Sequence, residues 1–151
     1  MHIERAGSRD IRGLARVRWR DRSDHPADDE AFDSFVSDLS SWWETHHDTH
    51  SAFVARTDDG VIIGAAWVAL LPRVPSPGST SRLSADIQSV FVVPEHRGEG
   101  LGTALVDAAS RHAEDAGALR ITVHSSARAV SLYRRLQYAG SPTLLQRTAE
   151  A

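Results

Sequence analysis

Hydrophobic positions along the chain follow two periods, and the switches between them mark its elements. His2 to Ala6 alternates as a short strand. Ser8 and Asp10 precede a helical pattern in which Ile11, Leu14, Ala15 and Trp19 share one face. Ser23 to Ala27, with His25-Pro26, breaks it. A second helix is expected from Asp28, with Phe32, Phe35, Val36, Leu39 and Trp42 or Trp43 at helical spacing. The polar, His-rich stretch Glu44 to His50 reads as a loop. Ser51 to Arg56 and Val61 to Leu71 read as strands joined by the turn Asp58-Asp59-Gly60. Pro72 to Ser81 is rich in proline and serine and reads as a surface loop. Ala85 to Val93 is a further strand. A helix then runs to about Ala116 with Gly117 as its stop. Leu119 to His124 reads as a strand, Ala127 to Gln137 as a helix, and Thr143 to Arg147 as a last strand. The order β-α-α-β-β-β-α-β-α-β fits one domain over 1–151, an α/β fold with a mixed sheet and helices on both faces.

The junction between the fourth strand and the third helix carries the chemistry. Val90-Phe91-Val92-Val93 ends at Pro94, and Gly98, Gly100 and Gly102 follow at alternate positions before Thr103 opens a run of good helix formers. A strand, a glycine-rich turn and a helix N-terminus make an anion cradle, because bare backbone lets N–H groups approach a phosphate and the helix dipole adds positive potential.

Composition narrows what the cradle holds. The chain has no lysine, so a Walker-type loop ending in Gly-Lys-Ser/Thr is excluded. The spacing Gly98-Glu99-Gly100-Leu101-Gly102, late in the chain, does not fit a dinucleotide fingerprint. Cysteine is also absent, which excludes a thiol nucleophile, a thiolate metal site and an acyl-cysteine. A net charge of −3 argues against a general nucleic-acid binder. No apolar run reaches the roughly 20 residues that span a bilayer, so a cytoplasmic location without membrane contact is expected. His46, His47 and His50 lack a His-Glu-x-x-His pattern, and no metal is expected.

Arg97-Gly98-Glu99-Gly100-Leu101-Gly102 follows the Arg/Gln-x-x-Gly-x-Gly/Ala loop that holds the pyrophosphate of coenzyme A. Ser126-Ala-Arg-Ala129-Val-Ser-Leu132-Tyr133-Arg-Arg-Leu-Gln137-Tyr138 follows the frame Asn-x-x-Ala-x-x-Leu-Tyr-x-x-x-Gly-Phe, with Ser126, Gln137 and Tyr138 replacing asparagine, glycine and phenylalanine. With these two motifs in register, the chain resembles the GNAT superfamily of N-acetyltransferases over essentially its whole length.

The resemblance implies a mostly antiparallel twisted sheet of six or seven strands and acetyl-CoA as co-substrate. It implies that the backbone of Gly98, Glu99, Gly100, Leu101, Gly102 and Thr103, with Arg97, holds the pyrophosphate. Val90, Phe91 and Val92 would bind the pantetheine arm as an added strand, and Ser126 would stand where an asparagine contacts the cofactor. Tyr133 would act as general acid toward the leaving sulfur, although a tyrosine at this spacing also fits a core. Asp86 is the candidate base, with His124 and Glu44 in reserve. Trp42, Trp43 and Glu44 are the expected acceptor contacts. Direct transfer to a primary amine of a small molecule in a ternary complex is expected, by an enzyme that could pair as a homodimer. A catalytically silent acyl-CoA-binding module and a peptide N-terminal acetyltransferase are the alternatives.

Overall fold

The computed structural model describes residues 1–23, 26 and 28–149. A five-stranded sheet has the sequential order β1-β2-β3-β4-β5, with β1 at His2–Arg5, β2 at His50–Arg56, β3 at Ile62–Arg73, β4 at Arg82–Val92 and β5 at Ala118–Val123. The first four strands pair antiparallel and β5 joins β4 in parallel. That last link needs a crossover, which helix α3 (Leu101–Asp115) supplies.

Two cores sit on opposite faces of the sheet. Leu105, Ala109 and Ala113 of α3 bury against Phe53, Ala66, Val68, Ala85 and Ile87. On the other face, Ile11, Leu14 and Val17 of α1 (Ile11–Arg22) bury against Ala52, Val54, Ala65 and Trp67. Helix α2 (Asp29–His46) lies over the same face but has no fully buried residue. Asp28 caps it, accepting a hydrogen bond of 2.8 Å from the Ala31 N–H. Its Phe32 and Phe35 meet Trp19 edge-on, and its Val36, Leu39, Trp42 and Trp43 pack at the rim of that core.

Five expectations are corrected. Helix α2 continues through Glu44 and Thr45 to His46, where a loop was expected. Strand β3 runs on through Pro72 to Arg73 and β4 begins at Arg82, so the proline-rich segment is a long hairpin tip. Ala127–Ala129 forms a 3-10 turn and only Val130–Arg135 is α-helical (α4), so that helix is shorter than its pattern. Thr143 to Arg147 forms no strand: Leu144 and Leu145 are exposed, the latter at 87%. The sheet has five strands and not six or seven, because an alternating segment without a paired edge gains no ladder hydrogen bonds. The expected break at Asp24, His25 and Ala27 lies outside the described residues.

One irregularity in the sheet positions the site. Trp67 of β3 pairs with Ser89, yet Val68 pairs with Ile87, so Gln88 is an extra residue on β4. A bulge of this kind bends its strand and reverses side-chain alternation beyond it. Pairing with β5 ends at Ile87–Val123, and β4 continues to Val92. The two parallel strands therefore diverge just past the bulge.

Candidate active site

The gap between β4 and β5 opens into a cleft of about 950 Å³. One wall is Gln88 to Val92 of β4, the other His124 to Ser126 and the face of α4, and Gly102 lies at its base. Of the residues expected at a cofactor, Val90, Phe91, Val92, Arg97, Gly102 and Ser126 line this cleft. Gly98 and Gly100 stand in the left-handed region, at φ 85° and 81°, and an added Cβ on either would meet open space. The glycines thus serve a backbone turn beneath a clear volume. No side chain caps the N-terminus of α3, so its first N–H groups are available to an anion. Leu101 is buried in the core and contributes only backbone. The Glu99 carboxylate lies 3.4 Å from His96 Nδ1, which makes no hydrogen bond. Gly102 packs closely on α4: a Cβ there would lie 3.2 Å from the end of the Leu132 side chain.

Arg97 is held twice. Its Nε donates to the Val92 carbonyl at 2.9 Å, and its guanidinium lies 5.3 Å from the centre of the Phe91 ring. Around it the cleft is strongly cationic: among the described residues Arg18, Arg20, Arg22, Arg97, Arg128 and Arg135 line it, against one carboxylate, Asp21. This local excess contrasts with the chain's net charge of −3. A low-dielectric cleft lined by one sign of charge concentrates ligands of the other. The donor set, made of backbone N–H groups and arginines, matches a molecule that carries several phosphates.

Tyr133 faces the same cleft from α4 and is 7% exposed. Burial, with a smaller contribution from Tyr138, pushes its phenol up to about 12. Among the described residues its Oη has no hydrogen-bond partner. The end of α4 fixes the residue. Gln137 adopts φ 67°, the Gln137 N–H donates to the Arg134 carbonyl at 3.1 Å, and the Tyr138 N–H donates to the Tyr133 carbonyl at 3.0 Å. This is a Schellman motif. The ring contact between Tyr133 and Tyr138 completes it, with Tyr138 Oη 2.8 Å from Ser110 Oγ on α3.

A smaller cavity of about 220 Å³ opens on the α1–α2 side of the sheet. Phe35, Leu39, Trp42 and Trp67 wall it. Arg18, Gln88 and Ser89 line both this cavity and the larger cleft, so the two meet at the bulge. Arg18 Nη1 donates to Ser89 Oγ at 3.0 Å and to Asp21 Oδ2 at 3.2 Å.

The remaining candidates fall around this junction. Trp42 lines the cavity, whereas Trp43 meets Trp67 edge-on in the core behind it. Glu44 is exposed and lines neither space. Asp86 also lines neither. It accepts a hydrogen bond from Thr122 Oγ1 at 3.1 Å and shares a cross-strand row with His50 and Ala69 on the α1–α2 face. His124 lines the larger cleft. Burial, followed by the neighbouring His46, lowers the His50 pKa, which favours a neutral ring at neutral pH. Sequence reasoning missed Arg18, Gln88, Ser89, Trp67 and Arg128. The one available signal was the adjacent polar pair Gln88-Ser89 inside an alternating strand, which marks a bulge.

Among the described residues no group of three or more His, Cys, Asp or Glu is placed to hold a metal, and no helix is long and apolar enough to cross a membrane.

Comparison with known proteins agrees with this geometry. The sequence profile of the acetyltransferase (GNAT) family matches residues 11–138. Mycothiol acetyltransferase of Saccharomonospora viridis is 28% identical over 106 residues, covering 68% of this chain but 34% of the relative, so the chain spans about a third of that protein's length. An acetyltransferase of Clostridium acetobutylicum solved with acetyl-CoA superposes with a TM-score of 0.74 at 18% identity, covering 97% of this chain and 95% of the other. Glucosamine-6-phosphate N-acetyltransferase of Arabidopsis thaliana gives 0.73 at 18% identity, with 99% and 98% covered. At these identities the structures establish the fold, and the profile establishes the family. The chain belongs to the acetyltransferase (GNAT) family.

Proposed function

We propose that the chain transfers the acetyl group of acetyl-CoA directly to a primary amine of a small molecule. The observation that carries this reading is the meeting of a cationic cleft and an aromatic cavity at Arg18, Gln88 and Ser89. The cleft suits the phosphates and pantetheine arm of the donor, the cavity suits an acceptor, and the bulge lies where the thioester and the amine would face each other.

The reaction forms a C–N bond and breaks a C–S bond. The nitrogen lone pair of a neutral amine attacks the thioester carbonyl carbon, and the sulfur leaves with the C–S electrons. With its pKa pushed up to about 12, the Tyr133 phenol stays protonated across the neutral range and is always a donor. Full proton transfer to a thiolate of ordinary pKa, ~8.5, runs uphill. Tyr133 therefore acts by hydrogen-bonding the sulfur as its charge grows. The proton lost by nitrogen leaves through water toward Asp86, which Thr122 holds on the acceptor face of the sheet.

Incubation with acetyl-CoA and a panel of primary amines, with release of free thiol followed, tests the reading. Turnover on at least one amine is expected. Tight CoA binding with no turnover on any amine would replace it with a catalytically silent acyl-CoA-binding module.

A further inference from the structure

Resting on the acetyl-transfer reading, we infer that the acceptor is a small amino carboxylate, with an apolar or single-ring aromatic group in the Trp42–Trp67 cavity and its carboxylate on Arg18. Three features of the cavity point to this class. Its walls, Phe35, Leu39, Trp42 and Trp67, are apolar, so they reward an apolar body. Its volume, about 220 Å³, is below the ~300 Å³ at which drug-sized pockets begin, so that body is one ring or one branched chain. Among the described residues none that lines it is a carboxylate, and the charged one is Arg18. Polyamines and other multiply cationic acceptors would enter beside a guanidinium with no counter-charge in the cavity.

Arg18 retains donors for such a ligand. Its bonds to Asp21 and Ser89 both leave from Nη1, and among the described residues Nε and Nη2 make none. The Asp21 pair is an i, i+3 pair whose arginine side chain is 39% exposed. Such exposed pairs are weak and yield readily to a better-placed carboxylate. Two adjacent N–H groups of a guanidinium match a carboxylate bidentately. With the carboxylate anchored at Arg18 and the apolar group in the cavity, the amine lies at the Gln88–Ser89 junction, facing the larger cleft. The surrounding arginines also favour the neutral form of that amine, because like charge lowers the pKa of a cation. The same positioning that selects the acceptor thus eases its deprotonation.

The test compares ligands that differ by one group. Binding to the CoA-loaded protein is read from quenching of tryptophan fluorescence, using L-phenylalanine, L-leucine, phenethylamine and spermidine. Thiol release from acetyl-CoA is followed in parallel. L-Phenylalanine is expected to bind at least about tenfold tighter than phenethylamine, which lacks only the carboxylate. In Arg18→Gln that gap should close through weaker L-phenylalanine binding, with phenethylamine bound no more weakly than before. Equal binding of the two by the unaltered protein, tighter binding of spermidine, no saturable binding of either amino acid, or an equal loss for both ligands in Arg18→Gln would each overturn the inference. The ligand comparison on the unaltered protein decides the matter even where the variant fails to fold. A carboxylate preference without thiol release on any amine would leave the inferred ligand class standing and reject acetyl transfer, so the two readings fail separately.

Discussion

The rings of Tyr133 and Tyr138 meet edge to face, with centroids 5.4 Å apart at 73°. The Tyr138 N–H also donates to the Tyr133 carbonyl at 3.0 Å. Tyr138 therefore acts as the rear stop of the residue that would face the thioester. Tyr138→Phe keeps the ring and loses only the contact with Ser110 Oγ, at a cost of about 1 kcal/mol in stability with kcat unchanged. Tyr138→Ala removes the stop, and a fall in kcat of about tenfold or more is expected. Thermal unfolding and steady-state kinetics on the two variants separate these effects.

Tyr133→Phe is expected to lower kcat by about a hundredfold with the KM for acetyl-CoA little changed, since the hydrogen bond to sulfur strengthens only as charge develops. Because burial holds the phenol at about 12, the unaltered enzyme should show no loss of activity from this group between pH 7 and about 10. A pH–rate profile of both proteins checks this. An alkaline limb below about pH 9 that disappears in Tyr133→Phe would contradict the assigned role.

Gln137 occupies the left-handed position at the end of α4, φ 67°, that favours glycine. Gln137→Gly should raise stability by about 1 kcal/mol. The gain is a relief of backbone strain, so the Schellman hydrogen bonds and the kinetics should remain. A rise in Tm with unchanged kcat is the expected result.

Gly100→Ala separates folding from ligand binding. The left-handed φ of 81° makes alanine cost about 1 kcal/mol in the free protein, and its Cβ meets nothing there. The same methyl would project into the volume assigned to the pyrophosphate. The Kd for CoA should therefore rise at least about tenfold, more than the stability loss alone explains. Calorimetric titration with CoA, set against the change in Tm, gives the comparison.

Acid stability should depend on Asp10, which is 6% exposed. Burial pushes its carboxyl up, but the Gly7 N–H and the Arg56 guanidinium outweigh this, and its pKa lies below the ordinary 3.8. A folded-state pKa below the unfolded one adds stability that is complete above about pH 4 and is lost as pH falls through the folded value. Arg56 also bonds Glu4 at 2.7 Å and the Gly60 carbonyl at 2.9 Å, so it ties β1, β2 and the following turn together. Asp10→Ala removes one of the two carboxylates on Arg56 and the acceptor of the Gly7 N–H, and should cost about 2 kcal/mol at pH 7. It should also weaken the fall in stability toward pH 2, as followed by urea unfolding across pH.

The glycine turn and the α4 frame beside the larger cleft were legible in the sequence because they depend on residue types that are hard to replace. Left-handed turns call for glycine, as at Gly98 and Gly100, and the frame from Ala129 to Tyr133 sits at fixed helical spacing. The smaller cavity was less legible. Trp42 and Trp43 are adjacent in an amphipathic helix, and only the packing of α2 on Trp67 shows which of them borders a cavity. Arg18, on the same helix as four other arginines, has no local mark that separates it from solvent-facing neighbours. Thr143 to Arg147 shows the opposite limit: alternation makes a segment able to pair, but a strand exists only where an edge receives it.

The bulge at Gln88 has a consequence for how this protein could change. Both residues at the junction of cleft and cavity, Gln88 and Ser89, are neighbours in sequence, yet they line the same two spaces. Regular alternation would send one of them to the α3 core. Their shared orientation comes from chain length, not from side-chain identity. Removing one residue from β4 would restore its alternation, allow it to continue alongside β5, and seal the opening. A shortening by a single codon would thus turn an open cleft into a closed sheet with every motif still present, whereas many substitutions at the same two positions would leave the opening intact.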